Sequence, residues 1–488
     1  MKTLNWIFIM IVPLVVSIII FLIFFRTNMA TLKLYRSTSV VLPDSVEEAG
    51  IVVDQDGKIS KILTKPDLDT MDPNSFEVID FGDLVIMPGV VDSHVHVNEP
   101  GRTDWEGYTT ATRAAAKGGV TTIIDMPLNS IPPTTTIENF NTKLKAAEGK
   151  NYVDLGFWGG VIPGNQNELV KLVEAGVVGF KCFLCPSGVD EFPNVNQEDI
   201  QLALQALEGT NSVLAFHAEL ELNNTTPIGD PTIYETFLES RPDEMEVEAI
   251  KIVTELCAKH SVRCHIVHLA AAKALPILRK FRAKNKNLTV ETCHHYLTFS
   301  SEEIPQGKTQ YKCCPPIRDH ENRELLWAAL QNHDIDQVVS DHSPCTPNLK
   351  FLNNTEKPAD FMKAWGGIAS VQFGLSLFWT EARKRGLNLL DVSHFLCKGP
   401  SKLIGLESKK GQLKEGLDAD FVVWNQNETF VVKQSDIEMK NKITPYLNME
   451  FYGKVYKTFV RGLKVYDKDE GFSETPLGKL NIKKGVKN

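Results

Sequence analysis

The stretch Val85-Ile86-Met87-Pro88-Gly89-Val90-Val91-Asp92-Ser93-His94-Val95-His96 decides the reading of this chain. Its first seven residues have the apolar, β-branched character of a buried strand. Side chains alternate along a strand, so His94 and His96, two apart, project to the same side. Two imidazoles side by side can grip one metal ion. Loop signals follow at once in Glu99-Pro100-Gly101-Arg102. Buried strand, paired histidines and then loop is the order expected at the rim of a parallel barrel, where strand ends carry the chemistry.

Outward from this stretch, short apolar runs alternate with helical ones. Val120–Asp125, Asp154–Trp158, Gly179–Phe183, Val213–His217, Arg263–Leu269, Leu288–Thr292 and Gln337–Asp341 read as strands. Thr109–Lys117, Asn167–Glu174 and Asp243–Lys259 read as helices. Alternation of this kind over 89–400 predicts an α/β fold, with βα units closed into a (β/α)8 barrel. The flanks are β-rich: Ala49–Val53 and Phe76–Met87 on one side, Asp420–Trp424, Phe430–Lys433 and Lys454–Val465 on the other. Segments 31–88 and 401–488 are expected to build one small β domain from both ends of the chain.

The 488 residues are 43% hydrophobic and 23% charged, which excludes a disordered chain and supplies a large core. A net charge of −9 argues against a nucleic-acid binder. Nine cysteines are too few for a disulfide scaffold, and Cys182-x-x-Cys185 lacks a second pair, so the cysteines read as small core residues. One local exception stands out. Trp6–Phe25 is apolar, with no charge between Lys2 and Arg26. That run is long enough to span a bilayer and lacks a clear cleavage site, so 1–30 is expected to be an uncleaved single-pass anchor. The expectation places the protein in the endoplasmic reticulum or another endomembrane. Flanking Arg26, Lys33 and Arg36 favour a cytoplasmic body. Sequons at Asn223, Asn224, Asn287, Asn353 and Asn427 suit a lumenal one, and the side stays open.

Further candidates lie at other strand ends. His217 closes Val213–His217, Asp341 closes Gln337–Asp341, and Cys264-His265-Ile266-Val267-His268 offers two histidines. Alternation puts Cys264, Ile266 and His268 on one face and His265 on the other, and His268 is chosen because it sits at the strand end. Nitrogen and oxygen donors at successive strand ends suit a borderline ion such as zinc. Lys181 ends the run Val177–Phe180. As an ammonium it has no lone pair for a metal, but reaction with carbon dioxide would make it an anionic carbamate with two oxygens.

Residues 35–480 resemble the allantoinases, cyclic amidohydrolases of the amidohydrolase superfamily. The resemblance is carried by MPGVVDSHVHVNEPGRTDWEGYTTATRAAAKGGVTTIIDMPLNS, GFKCFLCPSG, AFHAE, HIVHL, ETCHHYL, KCCPPIRD, VVSDHSPC, KAWGGIAS and the late LDADFVVW. It implies a (β/α)8 barrel, a small β-sandwich from both flanks, and two bridged metal ions, zinc first, with cobalt or manganese as alternatives. Carried over, His94 and His96 bind one ion, His217 and His268 the other, carbamylated Lys181 bridges them, and Asp341 is both ligand and proton shuttle. Cys314 and Gly366 are expected to touch the substrate. Asn98 stands where dihydroorotases carry the arginine of HxHxR. No tyrosine follows Lys181, as it does in hydantoinases and dihydropyrimidinases. Cys314 and His294 replace a frequent serine and proline. The resemblance therefore implies hydrolysis of allantoin to allantoate, with related cyclic ureides or a non-catalytic scaffold as the alternatives. It also implies a homo-oligomer, often a tetramer.

Overall fold

The computed structural model describes residues 32–222, 227–352 and 358–482. Two β systems meet at Gly89. The N-terminal flank supplies β1 (Leu32–Val41), β2 (Val46–Val53), β3 (Ile59–Thr64), β4 (Phe76–Asp80) and β5 (Val85–Pro88), and β6 (Val90–Val95) then opens the barrel. The apolar run read as one strand is thus two. Gly89 N–H donates to Asp420 O, and a Cβ on Gly89 would lie 2.1 Å from Thr121 Oγ1. Any larger residue would collide there, so the crossing needs glycine.

The barrel continues with β7 (Val120–Asp125), β8 (Asp154–Phe157), β9 (Gly159–Gly160), β10 (Phe180–Phe183), β11 (Val213–His217), β12 (Arg263–Ile266), β13 (Leu288–Cys293) and β14 (Gln337–Val339). The strands pair in parallel as β6-β7-β8 and as β9-β10-β11-β12-β13-β14. Trp158 joins β8 to β9, so the two form one stave, and Val178 N–H donates to Phe157 O to tie it to the next. The ring closes where Val95 bridges His342 and His96 N–H donates to His342 O. Among the described residues this makes the eight staves of a (β/α)8 barrel.

The C-terminal flank adds β15 (Phe421–Val431), β16 (Glu450–Val460), β17 (Leu463–Asp467) and β18 (Gly471–Phe472). These join the N-terminal strands in one nine-stranded sheet, in the order β18-β17-β16-β15-β5-β1-β2-β3, with β4 on β1. The two ends of the chain interlock where β15 pairs antiparallel with β5, Phe421 opposite Pro88 and Trp424 opposite Val85. Tyr35, Phe421 and Phe459 pack edge-to-face and stacked on that seam. Beneath it, buried Lys410 reaches Asp154 of β8 over 2.5 Å, and Asp418 and Asp420 of the C-terminal flank over 2.8 and 2.5 Å.

The expected membrane placement requires correction. A single pass needs about twenty apolar residues in one helix. Among the described residues no helix is long and apolar enough to cross a membrane. The helix Asp243–Cys257 has 15 residues and carries Asp243, Glu244, Glu246, Glu248, Lys251 and Glu255. The Trp6–Phe25 run lies outside the described residues, and the endomembrane location and membrane partnership do not stand. Of the sequons, Asn223, Asn224 and Asn353 also lie outside them. Asn287 Nδ2 donates to the carbonyls of Cys257, His260 and Val262, a structural use of that amide.

Candidate active site

One end of the barrel gathers His94, His96, Lys181, His217, His268 and Asp341 around a cavity of about 280 Å³. All six are nearly or fully buried. Each comes from the C-terminal end of a stave, where βα loops leave side chains free to converge. His94 lies near the end of β6 and His96 just past it, Lys181 lies in β10, and His217 ends β11.

His268 and Asp341 arrive by a different route. β12 stops at Ile266 and β14 at Val339, and both residues have positive φ, +39° and +43°. Such backbone is costly outside glycine and marks sites where the side chain must be re-aimed. Strand alternation misread this region. His265 is the strand residue that reaches the acidic interior, with Nε2 3.0 Å from Glu291 Oε2. Its neighbours Cys264 and Ile266 pack in a different apolar cluster from Val267. His268 enters the site because the strand has already ended.

The hydrogen bonds show which ring nitrogens face inward. His94 Nδ1–H donates to Glu291 Oε1 over 2.6 Å, which turns Nε2 toward Lys181 Nζ at 2.9 Å and Asp341 Oδ1 at 3.1 Å. His217 Nε2–H donates to Glu219 Oε2 over 2.8 Å, which turns Nδ1 toward His268 Nε2 at 3.0 Å. His217 also stacks on Phe183, with ring centroids 4.4 Å apart. His96 Nε2 lies 3.6 Å from Asp341 Oδ1, and its Nδ1 contacts the Asn129 amide at 3.2 Å. Ser343 Oγ donates to Asp341 Oδ1 over 3.0 Å.

Charge is arranged to suit a cation between these groups. Burial raises the cost of ionising Asp341, yet His94, His268 and His96 around it hold its carboxyl well below the usual range. Burial likewise opposes ionisation of Glu219, but Arg241 and His217 hold it down at about 2. Lys181 is pulled to about 8 by burial. Among the described residues no carboxylate lies within ion-pair distance of its Nζ, so roughly a tenth of the amine is neutral and nucleophilic at pH 7, far more than for an exposed lysine.

These residues fit a metal. The ligand atoms of His94, His268 and Asp341 lie within 4.8 Å of one another. His94 Nε2 faces Lys181 and Asp341, His217 Nδ1 faces His268, and each opposite N–H is held by a carboxylate, as metal-binding imidazoles require. Rotating the Asn129 amide by half a turn gives His96 the same arrangement, since Asn129 Oδ1 is buried without a partner.

Cys314 and Gly366 both line the cavity, and a Cβ on Gly366 would meet Cys314 Sγ at 2.7 Å. The remaining cysteines are buried free thiols, without a disulfide among the described residues. Sequence reasoning passed over Glu291, Glu219, Asn129 and Arg241. Two of these had a readable signal. Glu219 lies two residues past His217, and Glu291 is an acid inside an apolar strand, where a carboxylate needs a partner.

The amidohydrolase family model matches residues 85–465. The chain is 56% identical to the mitochondrial allantoinase of Aquarana catesbeiana over 384 residues, 78% of each chain. It is 46% identical to the allantoinase of Saccharomyces cerevisiae, over 88% of this chain and 93% of that one. Among solved structures, the L-hydantoinase of Arthrobacter aurescens superposes with a TM-score of 0.84 at 28% identity, covering 92% of this chain and 99% of that one.

Proposed function

The chain belongs to the amidohydrolase family, and from that premise, with allantoinases matching it over most of its length, we propose that it opens the five-membered ring of allantoin, hydrolysing the cyclic amide to give allantoate in purine catabolism. The observation that supports this most is the convergence of six donors on one cavity of a size for a small ring. His94 and His96 would hold one divalent ion, His217 and His268 a second, Lys181 as its carbamate would lie between them, and Asp341 would complete the first. Zinc suits this set of imidazole and oxygen donors, and cobalt or manganese can substitute.

When bound, such a pair of ions makes hydroxide available near neutral pH and polarises the ring carbonyl. The chain's own residues do the rest. Asp341 takes the proton of the attacking water and returns it to the departing ring nitrogen, a transfer that general acid–base catalysis makes efficient when the group is fixed. Ser343 Oγ fixes it, by its bond to Oδ1. Glu291 and Glu219 hold His94 and His217 in the tautomers that face the cavity. Cys314 and Gly366 line the same cavity, and a side chain at Gly366 would run into Cys314 Sγ.

The test is direct. Purified protein should convert allantoin to allantoate and hold about two metal ions per chain, as two bridged sites require. Faster opening of six-membered dihydropyrimidines would move the assignment to the dihydropyrimidinases. No turnover of either ring at full metal content would leave a scaffold. Light scattering of the same sample reads the homo-oligomer, a tetramer in this proposal.

A further inference from the structure

Ring opening uses the inner end of the cavity and leaves the cations on its wall without a role. Those cations are Arg241, Lys312 and Lys363. Lys312 Nζ donates to the carbonyls of Met362 over 3.0 Å and Ala364 over 2.6 Å, so it fastens a loop. Lys363 pairs with Asp360 over 2.9 Å, and its side chain is 73% exposed.

Arg241 is different. Its Nη1 donates to Glu219 Oε2 over 2.6 Å, and among the described residues that is its one bond to an oxygen acceptor. Its side chain remains 24% exposed where it lines the cavity. It is also firmly seated. Glu219 is fully buried and held by His217, and Arg318 Nη1 donates to the Arg241 carbonyl over 3.2 Å. A guanidinium has five N–H donors in a rigid plane; Glu219 takes one and the Cys185 sulfur faces another, so the rest of this fork is uncommitted. Trp365 on the same cavity adds a buried Nε1–H without a partner among the described residues. Uncommitted, pre-placed donors on a cavity wall are suited to a planar carbonyl outside the scissile ring.

We infer that Arg241 is a specificity residue that takes the carbonyl of a urea substituent carried on the substrate ring. This rests on the ring-opening reading above and deepens it. One edge of the guanidinium is anchored on Glu219 and the other reads the substituent, so an unsubstituted hydantoin ring fills the reaction site without touching Arg241.

The experiment compares wild-type holoenzyme with Arg241→Met, reading the KM for allantoin, the Ki of unsubstituted hydantoin as competitor, and metal content by plasma mass spectrometry. The expected result is a KM raised about 10- to 100-fold, the range for a lost charged hydrogen bond, with Ki and metal content at wild-type values. Should Arg241→Met lose metal, Arg241→Lys, which keeps the charge and loses the fork, carries the same comparison. KM and Ki moving together, or metal lost from both variants, would overturn the inference and leave Arg241 as a support for His217. Wild-type holoenzyme that does not open allantoin would overturn the functional reading itself.

Discussion

Glu291 Oε1 accepts the proton of His94 Nδ1 over 2.6 Å, although the two residues lie 197 positions apart and on different staves. The same carboxylate reaches His265 Nε2 through Oε2 at 3.0 Å and accepts from Gln337 Nε2 at 2.9 Å. Burial works against its charge, but the flanking His94 and His265 hold it far below the usual carboxylate range. Glu291 therefore fixes the tautomer of His94 and points Nε2 into the cavity. Glu291→Gln should weaken metal binding about 10- to 100-fold, the usual loss on removing such an outer partner. Dialysis against graded chelator, with metal counted per chain, checks this, and retention equal to wild type would sink it.

Lys181 and Asp341 should separate the metal from the proton. Lys181→Ala should lose metal, and short carboxylic acids should restore part of the metal content and activity by supplying the missing oxygens. Asp341→Asn should keep its fold and lose ring opening by at least about 10²-fold, a typical loss for a general acid–base group. Full metal occupancy in Lys181→Ala without added acid, or near-normal turnover in Asp341→Asn, would contradict these roles.

What the sequence made legible was whatever depended on local periodicity. Val120–Asp125 and Val213–His217 are strands at the boundaries their apolar runs predict. Phe76–Met87 was legible only in part, because Phe81 to Leu84 form a turn with Gly82 at positive φ, which splits the run in two. His94 and His96 were readable from strand parity, and His217 from its place at the end of an apolar run. His268 was reached despite parity, because no pattern of two announces a strand that ends at Ile266 and a residue at φ +39°. Glu291 and Arg241 could not be assigned because each acts through a partner on another stave or loop, which only the closed barrel brings within reach, whereas Glu219 holds His217 from two residues away.

Gly89 supplies a prediction about the fold itself. A Cβ there would lie 2.1 Å from Thr121 Oγ1, 2.2 Å from its Cγ2 and 2.7 Å from its Cβ. Because β6 and β7 are paired, neither strand can shift alone. Gly89→Ala should destabilise the protein by about 1–3 kcal/mol, as overpacking of a filled core does. Adding Thr121→Ala, which removes two of the three contacts, should recover part of that loss. Denaturant midpoints for the single and double variants measure both. Equal midpoints for wild type and Gly89→Ala would show that the crossing tolerates a side chain.

The Lys410 cluster gives the last prediction and a pH signature. Lys410 Nζ is shared by Asp154, Asp418 and Asp420, and Arg461 pairs with Asp154 as well. This joins barrel stave β8 to the C-terminal flank. Lys410→Met leaves three buried carboxylates short of a cation and should cost about 3–5 kcal/mol, the usual loss when one partner of a buried pair is removed. Burial pushes Asp154 and Asp418 up, but Lys410, joined by Arg461 at Asp154 and by Lys58 at Asp418, holds both below 3.8. A depressed folded-state pKa contributes stability that is present above the unfolded value and lost as pH falls through the folded one. Asp420, raised by burial, works in the opposite sense. The wild-type melting temperature should therefore fall as pH drops below 3.8, while Lys410→Met, already without that contribution, should show a shallower decline. Melting curves of both proteins from neutral pH into that acid range test this, and parallel declines would show that the cluster contributes no linked stability.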